Sequence, residues 1–300
     1  MKPLNSRERD MTLRACATET VRVGRDVLVV VINLDLATDR LAHMQCQLGR
    51  AGIAWVRFPA FLGCDVPPRW RDMLDASWLL PGEIGCYASH LAVLEVIADL
   101  GVPALVLEDD VTIDVTLPDL LDELGRVLPA EWDIVRLSNK TVRATHTVAT
   151  LDSGKHLVHF SHIPRGTGAS LISPSGARKF LRLRQRRFAI DQDLRMAWIW
   201  GLNTYGITPP PIATEAFAHS SICTTKADRE QMNRRNLYRR AFCFESLARH
   251  RFGISKIGFA PWMRLIAINA ARLISKRARQ SRRARKPFPP VPAGSSPLAG

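Results

Sequence analysis

The sequence predicts an α/β body followed by a basic helical extension. Three observations carry that prediction. The run Val27-Leu28-Val29-Val30-Val31-Ile32 is apolar throughout, as expected of a strand buried on both faces of a sheet. A helical stretch and a second strand follow it, which is the order of a βαβ unit. The formal charge of +14 belongs to one end of the chain: residues 1–220 hold 24 Lys/Arg against 25 Asp/Glu, whereas residues 221–300 hold 18 against 3. A near-neutral body thus carries a basic C-terminal segment.

The elements follow in order. Residues 1–26 mix charges and lack the apolar core of a secretion signal, so they read as an irregular segment. The first strand ends at Asn33-Leu34-Asp35, and Thr38 or Asp39 caps a helix through Gly49 with Leu41, Met44 and Leu48 on one face. Ile53 to Phe58 reads as the second strand. Pro81-Gly82-Glu83-Ile84-Gly85 opens a helix to about Leu100, because Pro and an early Glu suit a first turn. Ser89 and His90 fall near its middle. A strand over 103–107 leads into Glu108-Asp109-Asp110.

Residues 117–128 read as a helix, with Asp114 and Thr116 available to cap it, and Trp132 to Leu137 as a strand. Loops or a hairpin fill 138–165. Gly168 to Ser173 is a short strand, Ser173-Pro174 caps a helix through Leu183, and Leu202 to Ile207 is a strand closed by three prolines. The Pro/Gly/Ser-rich end is predicted disordered. The expected division is an irregular segment 1–26, a body 27–225, a basic helical extension 226–286 and a disordered tail 287–300.

The acidic triplet is the most informative feature. Three carboxylates ending a buried strand cannot be buried unpaired, so they emerge at the strand's C-terminal edge, where open α/β sheets bind ligands. Clustered oxygens there suit Mg²⁺ or Mn²⁺; a solvated acidic turn is the bland alternative. The chain lacks both G-x-G-x-x-G and G-x-x-x-x-G-K-[ST], which disfavours a dinucleotide fold or a P-loop ATPase. None of the six cysteines forms a C-x-x-C pair, which argues against a zinc site or a redox dithiol; Cys86 reads as a core residue.

Three stretches together resemble glycosyltransferase family 25. They are Val30-Val31-Ile32-Asn33-Leu34 with Asp39-Arg40, then Pro81 to Cys86 with Ser89-His90-Leu91, and Leu105 to Asp110. Weaker matches run through Trp132 to Val135, Gly166 to Ala177, Ile190-Asp191 and Tyr205 to Pro210, so the resemblance spans roughly residues 27–225. It implies a GT-A-like fold and transfer of a hexose, typically galactose, from a UDP-sugar. Bacterial members mostly act on lipopolysaccharide or lipooligosaccharide core, and relatives elsewhere on collagen hydroxylysine.

On that reading the leaving diphosphate needs a divalent cation, Mn²⁺ or Mg²⁺. Asp110 is the first choice as its ligand and Asp109 the second, with Glu108 on a ribose hydroxyl or a metal-bound water. Asn33 would read a uracil edge and Arg40 a phosphate; a solvated Arg on a helix face is the competing view. Ser89 and His90 would bond the donor sugar or diphosphate, against a buried histidine satisfied by backbone. Asp191, ahead of Asp193, is the candidate general base, and a helix cap for 192–200 is its competitor. His219 could reach the metal, although a surface histidine is the simpler reading. Gly166-Thr167-Gly168 either admits substrate close to backbone or is a plain turn.

The segment 254–286 reads as a basic amphipathic helix. Trp262, Met263, Ile266, Leu273 and Ile274 share one side, and Arg264, Arg272, Lys276, Arg279 and Arg282 the other. An anionic membrane surface is the first-ranked partner, packing on the body the second and nucleic acid the third. With no spanning segment, the expected location is cytoplasmic, peripheral on the inner membrane, facing a lipid-linked saccharide acceptor. Two alternatives stand beside the transferase: a non-catalytic protein binding anionic membrane or nucleic acid through this segment, and a metal-dependent phosphohydrolase.

Overall fold

The computed structural model describes residues 27–138, 141, 143–214 and 244–284. The expectations for 1–26, for 226–243, for the tail and for His219 lie outside them. An eight-stranded sheet organises the body, in the order β2-β1-β3-β8-β5-β9-β7-β6. Its strands are β1 (Leu28–Asn33), β2 (Val56–Pro59), β3 (Ala104–Glu108), β5 (Ile134–Arg136), β6 (Thr145–Thr150), β7 (His156–Phe160), β8 (Ala169–Ile172) and β9 (Thr204–Thr208). A small ribbon pairs β4 (Val111–Thr112) with β10 (Ala213–Thr214).

The half β2-β1-β3 is parallel, as the βαβ reading requires. The sheet as a whole is mixed, because β8 runs antiparallel to both β3 and β5, and β7 antiparallel to both β9 and β6. Side chains alternate across β1: Leu28, Val30 and Ile32 enter one apolar layer, and Val29 and Val31 the other. Helices α3 (Pro81–Leu100), α5 (Pro174–Phe180), α6 (Ile190–Arg195) and α7 (Ala197–Trp200) cover the first face. Helices α1 (Thr38–Arg50) and α4 (Leu117–Val127) cover the second. A single turn, α2 (Pro68–Arg71), completes the first layer through Trp70.

Capping follows the sequence signals in part. Glu83 accepts from the Leu80 backbone N–H at 2.8 Å, closing the start of α3. Ser173 accepts from Gly176 at the start of α5. Asp114 bonds Thr116 rather than the helix itself, and α4 has no side-chain cap.

The C-terminal segment forms α8 (Phe244–Ile257) and α9 (Phe259–Ala284). The apolar side expected to face a membrane is divided. Trp262 and Leu265 are buried against Ala144, beside β6, and Asn269 joins them, accepting from the Ala144 N–H at 2.8 Å and donating to the Ser161 hydroxyl at 2.9 Å. Phe259, Met263, Leu273 and Ile274 remain exposed. Packing on the body therefore takes one stripe of the helix and leaves the next one outward. No helix among the described residues is long and apolar enough to cross a membrane.

Candidate active site

The parallel strands β1 and β3 end side by side, and the antiparallel β8 starts beside them. Asn33, Glu108 and Thr167 meet at that edge for this reason. Glu108 is the last residue of β3 and lies on the α3 side of the sheet. Its backbone N–H donates to Gly168 O at 2.8 Å, and the Thr167 hydroxyl donates to its carboxylate. His90 Nε2 approaches the same oxygen at 3.5 Å. Burial pushes the Glu108 carboxyl up, but His90, Thr167 and the Arg136 charge outweigh it and hold it below the usual range.

Asp109 turns to the opposite side. Its two oxygens accept from Asn33 Nδ2 at 2.7 Å and Arg40 Nη1 at 3.1 Å. Asn33 is itself buried; it also donates to Ala37 O at 3.0 Å and accepts from Arg57 Nε at 2.9 Å. Both ends of this amide are thus engaged in joining β1, β2 and the acidic turn. Asp110 stands half-exposed, 4.0 Å from Arg40. Burial, with the neighbouring Glu108 charge, raises its carboxyl above the ordinary value. Both Asp109 oxygens are taken by Asn33 and Arg40, which leaves Asp110 as the carboxylate of this pair more open to a hard divalent cation.

A cleft with about 820 Å³ of empty space, part of it open to solvent, lies over this edge. Arg40, Gly82, Cys86, His90 and the acidic triplet line it, together with the 60–63 loop. That loop lies tightly against the start of α3. A Cβ on Gly85 would stand 2.4 Å from Phe61 O, and one on Gly63 would stand 2.2 Å from Pro81 O. The fully buried Ser89 completes the junction: its hydroxyl accepts from Phe61 N at 2.8 Å and donates to Gly85 O at 2.7 Å. The Ser89 side chain therefore shapes the cleft wall from behind and is not part of its lining.

The two base candidates separate. Asp193 is a core residue that accepts from the Tyr87 hydroxyl at 2.7 Å, and burial pushes its carboxyl up to about 6. Asp191 is half-buried and accepts from the Gly166 N–H at 3.3 Å. The expected helix over 192–200 is two short ones, α6 and α7, and the N-cap of α6 is Ala189 with no side-chain bond. Asp191 is thus not a cap. Gly168 is held for packing: an added Cβ would meet Thr214 Cγ2 at 2.8 Å.

Sequence reasoning passed over Thr167 as a partner of Glu108, and Arg136 altogether. Arg136 is fully buried on β5, and its guanidinium has no hydrogen-bond partner among the described residues. Burial lowers it to about 10, while the charges of Asp191 and Glu108 favour its protonated form. A charged residue inside the apolar strand Ile134-Val135-Arg136-Leu137 was the available signal.

Comparison with known proteins points to one family. The family model described as "Glycosyltransferase family 25 (LPS biosynthesis protein)" matches residues 28–194. A Bos taurus protein named "Probable inactive glycosyltransferase 25 family member 3" is 31% identical over 136 residues, 44% of this chain and 22% of that protein. "Procollagen galactosyltransferase 1" of Danio rerio is 28% identical over 180 residues, 55% of this chain and 30% of that protein. The chain thus aligns with less than a third of either relative. The family match covers more than half of the chain and takes in β1, α3, the acidic edge and Asp191; the chain belongs to glycosyltransferase family 25.

Proposed function

We propose that this chain transfers a hexose, galactose by analogy with the procollagen relatives, from a UDP-sugar to a lipid-linked saccharide. The observation that carries this reading is the cleft lined by Arg40, His90 and Glu108-Asp109-Asp110. The parallel β2-β1-β3 half ending in an acidic edge, with antiparallel β8 beside it, supports a GT-A-like description.

In this reading Asp110 holds the cation, and Asp109 adds charge while Asn33 and Arg40 fix its orientation. When bound, Mn²⁺ or Mg²⁺ supplies charge neutralisation at the leaving diphosphate. Arg40 extends that neutralisation to a phosphate oxygen. His90 and Glu108 sit against the donor's sugar or ribose hydroxyls. Asp191 takes the proton of the acceptor hydroxyl as its oxygen bonds to the anomeric carbon and the bond to UDP breaks. The description of the family as an LPS biosynthesis protein, together with the basic C-terminal helices, favours a lipid-linked acceptor at an anionic cytoplasmic membrane face over a collagen one.

A panel of UDP-hexoses with the purified chain tests this. UDP release should require Mn²⁺ or Mg²⁺ and fall by roughly 100-fold or more in Asp110→Asn, the size expected for a lost charge-stabilising group. Turnover indifferent to chelator would remove the metal from the proposal. The names of the family member 3 relatives favour one second reading, a chain that binds the nucleotide sugar without turning it over. UDP-sugar protection against heat with no UDP release would identify it.

A further inference from the structure

We propose that Cys86, His90 and Glu108 form a second cation site, for a zinc-class ion, in the wall of the same cleft. It goes beyond the transfer reading and does not require it; an ion here would engage His90 and Glu108 in place of donor hydroxyls. Cys86 and His90 lie four residues apart on α3 and so share one helix face. Glu108 meets them from the end of β3. The thiol sulfur, the imidazole nitrogen and a carboxylate oxygen all lie within 4.8 Å of one another. Donors bound tetrahedrally at about 2.0–2.3 Å stand about 3.3–3.8 Å apart. His90 Nε2 and Glu108 Oε1 already stand at 3.5 Å, and side-chain rotation covers the remaining gap.

Two further observations point to a ligand. His90 is 5% exposed, and its buried Nε2 makes no well-formed hydrogen bond among the described residues; its polar neighbour here is Glu108 Oε1 at 3.5 Å, itself a donor of the site. Buried imidazole nitrogens are otherwise satisfied. Glu108 is oriented by the Thr167 hydroxyl, the kind of outer contact that fixes a metal-binding carboxylate.

The donor set selects the ion. One thiolate, one imidazole and one carboxylate suit Zn²⁺ or Co²⁺ and not Mg²⁺. Without a cation, burial and the surrounding carboxylates keep the thiol protonated; binding releases that proton to solvent as the metal–sulfur bond forms. The fourth position faces the cleft. The site is separate from Asp109, whose oxygens face Asn33 and Arg40. The absence of a C-x-x-C pair does not bear on it, because the third ligand comes from a distant strand.

Cobalt titration of the metal-free full chain, with no nucleotide present, tests the site. One equivalent should give a near-ultraviolet sulfur-to-cobalt band and the intense visible bands of four-coordination. Zn²⁺, but not Mg²⁺, should displace it. Cys86→Ser should remove the sulfur band, His90→Gln should weaken binding at least tenfold, and Asp110→Asn should leave the spectrum intact. Weak six-coordinate bands that survive Cys86→Ser, or that vanish only in Asp110→Asn, would overturn the proposal. X-ray absorption of the zinc-loaded wild type needs no variant: one sulfur with nitrogen and oxygen neighbours supports the site, and oxygen alone refutes it. Failure of sugar transfer would leave these spectra unchanged, so the two readings fail separately.

Discussion

Asn33 shows how one buried side chain fixes a charged site. Its amide donates to Asp109 and Ala37 and accepts from Arg57. Asn33→Ala would leave a carboxylate and a guanidinium each short of a partner in a part-buried setting. Losing such bonds costs about 1–3 kcal/mol, so the variant should unfold at lower denaturant concentration. UDP-dependent protection against heat should fall with it, because Asp109 loses its orientation. Protection equal to wild type would mean that the acidic edge is held without this residue. The position of Asn33 was legible as the polar end of an apolar strand. Its partners were not, because Arg57 comes from β2 and Asp109 from the turn after β3, and no local pattern reveals that these strands flank β1. Arg136 was missed for a related reason: the apolar strand was recognised, and the one charge within it was not weighed.

At the scale of elements, strands buried on both faces were the easiest to read. The run at 27–32 and the strand at 103–107 each fall within a residue of β1 and β3. The direction of β8 was not legible, because an antiparallel strand slotted between two parallel ones has the same composition as its neighbours. The start of α3 was legible from Pro81 and Glu83, but Gly85 is explained only by the fold, since the 60–63 loop lies where its Cβ would be. Gly85→Ala should cost about 1–3 kcal/mol as overpacking against backbone. Its melting temperature and its UDP affinity should fall together, because the displaced loop lines the cleft.

The docked arm formed by α8 and α9 carries its own pH dependence. Arg249 donates to His162 at 2.6 Å, and Trp262 donates to His250 Nδ1 at 2.9 Å. Burial, then the charges of Arg249, Arg143, Arg195 and His250, lower His162 to about 4; burial and Arg249 lower His250 as well. A histidine lowered from 6.5 stabilises the docked arm fully above that value and loses the contribution as pH falls toward 4. Hydrogen-exchange protection, measured relative to the intrinsic exchange rate at each pH, should therefore fall in α8 and α9 between pH 6.5 and 4.5 more than in β1 and β3. A uniform loss of protection across the chain would refute a local effect.

For the whole molecule, the separation of charge is the decisive feature. The near-neutral body and the basic arm meet at the stripe of Trp262, Leu265 and Asn269, which the body covers. What stays outward on α9 is apolar and basic together: Phe259 is 66% and Ile274 69% exposed, with Arg264 and Arg272 exposed between them. The sequence beyond adds Lys276, Arg277 and Arg279. An anionic lipid surface complements both properties, at about 1 kcal/mol per basic residue near it. The full chain should therefore bind vesicles containing anionic lipid and leave zwitterionic ones, and affinity should fall as salt shortens the screening length to about 10 Å at 0.1 M. Phe259→Ser with Ile274→Ser should weaken vesicle binding roughly tenfold, from the apolar area withdrawn, and leave the melting temperature unchanged because neither side chain packs on the body. Equal binding to both vesicle types would remove the membrane from the proposal. Tighter, salt-sensitive binding to duplex DNA than to vesicles would assign the arm to nucleic acid instead.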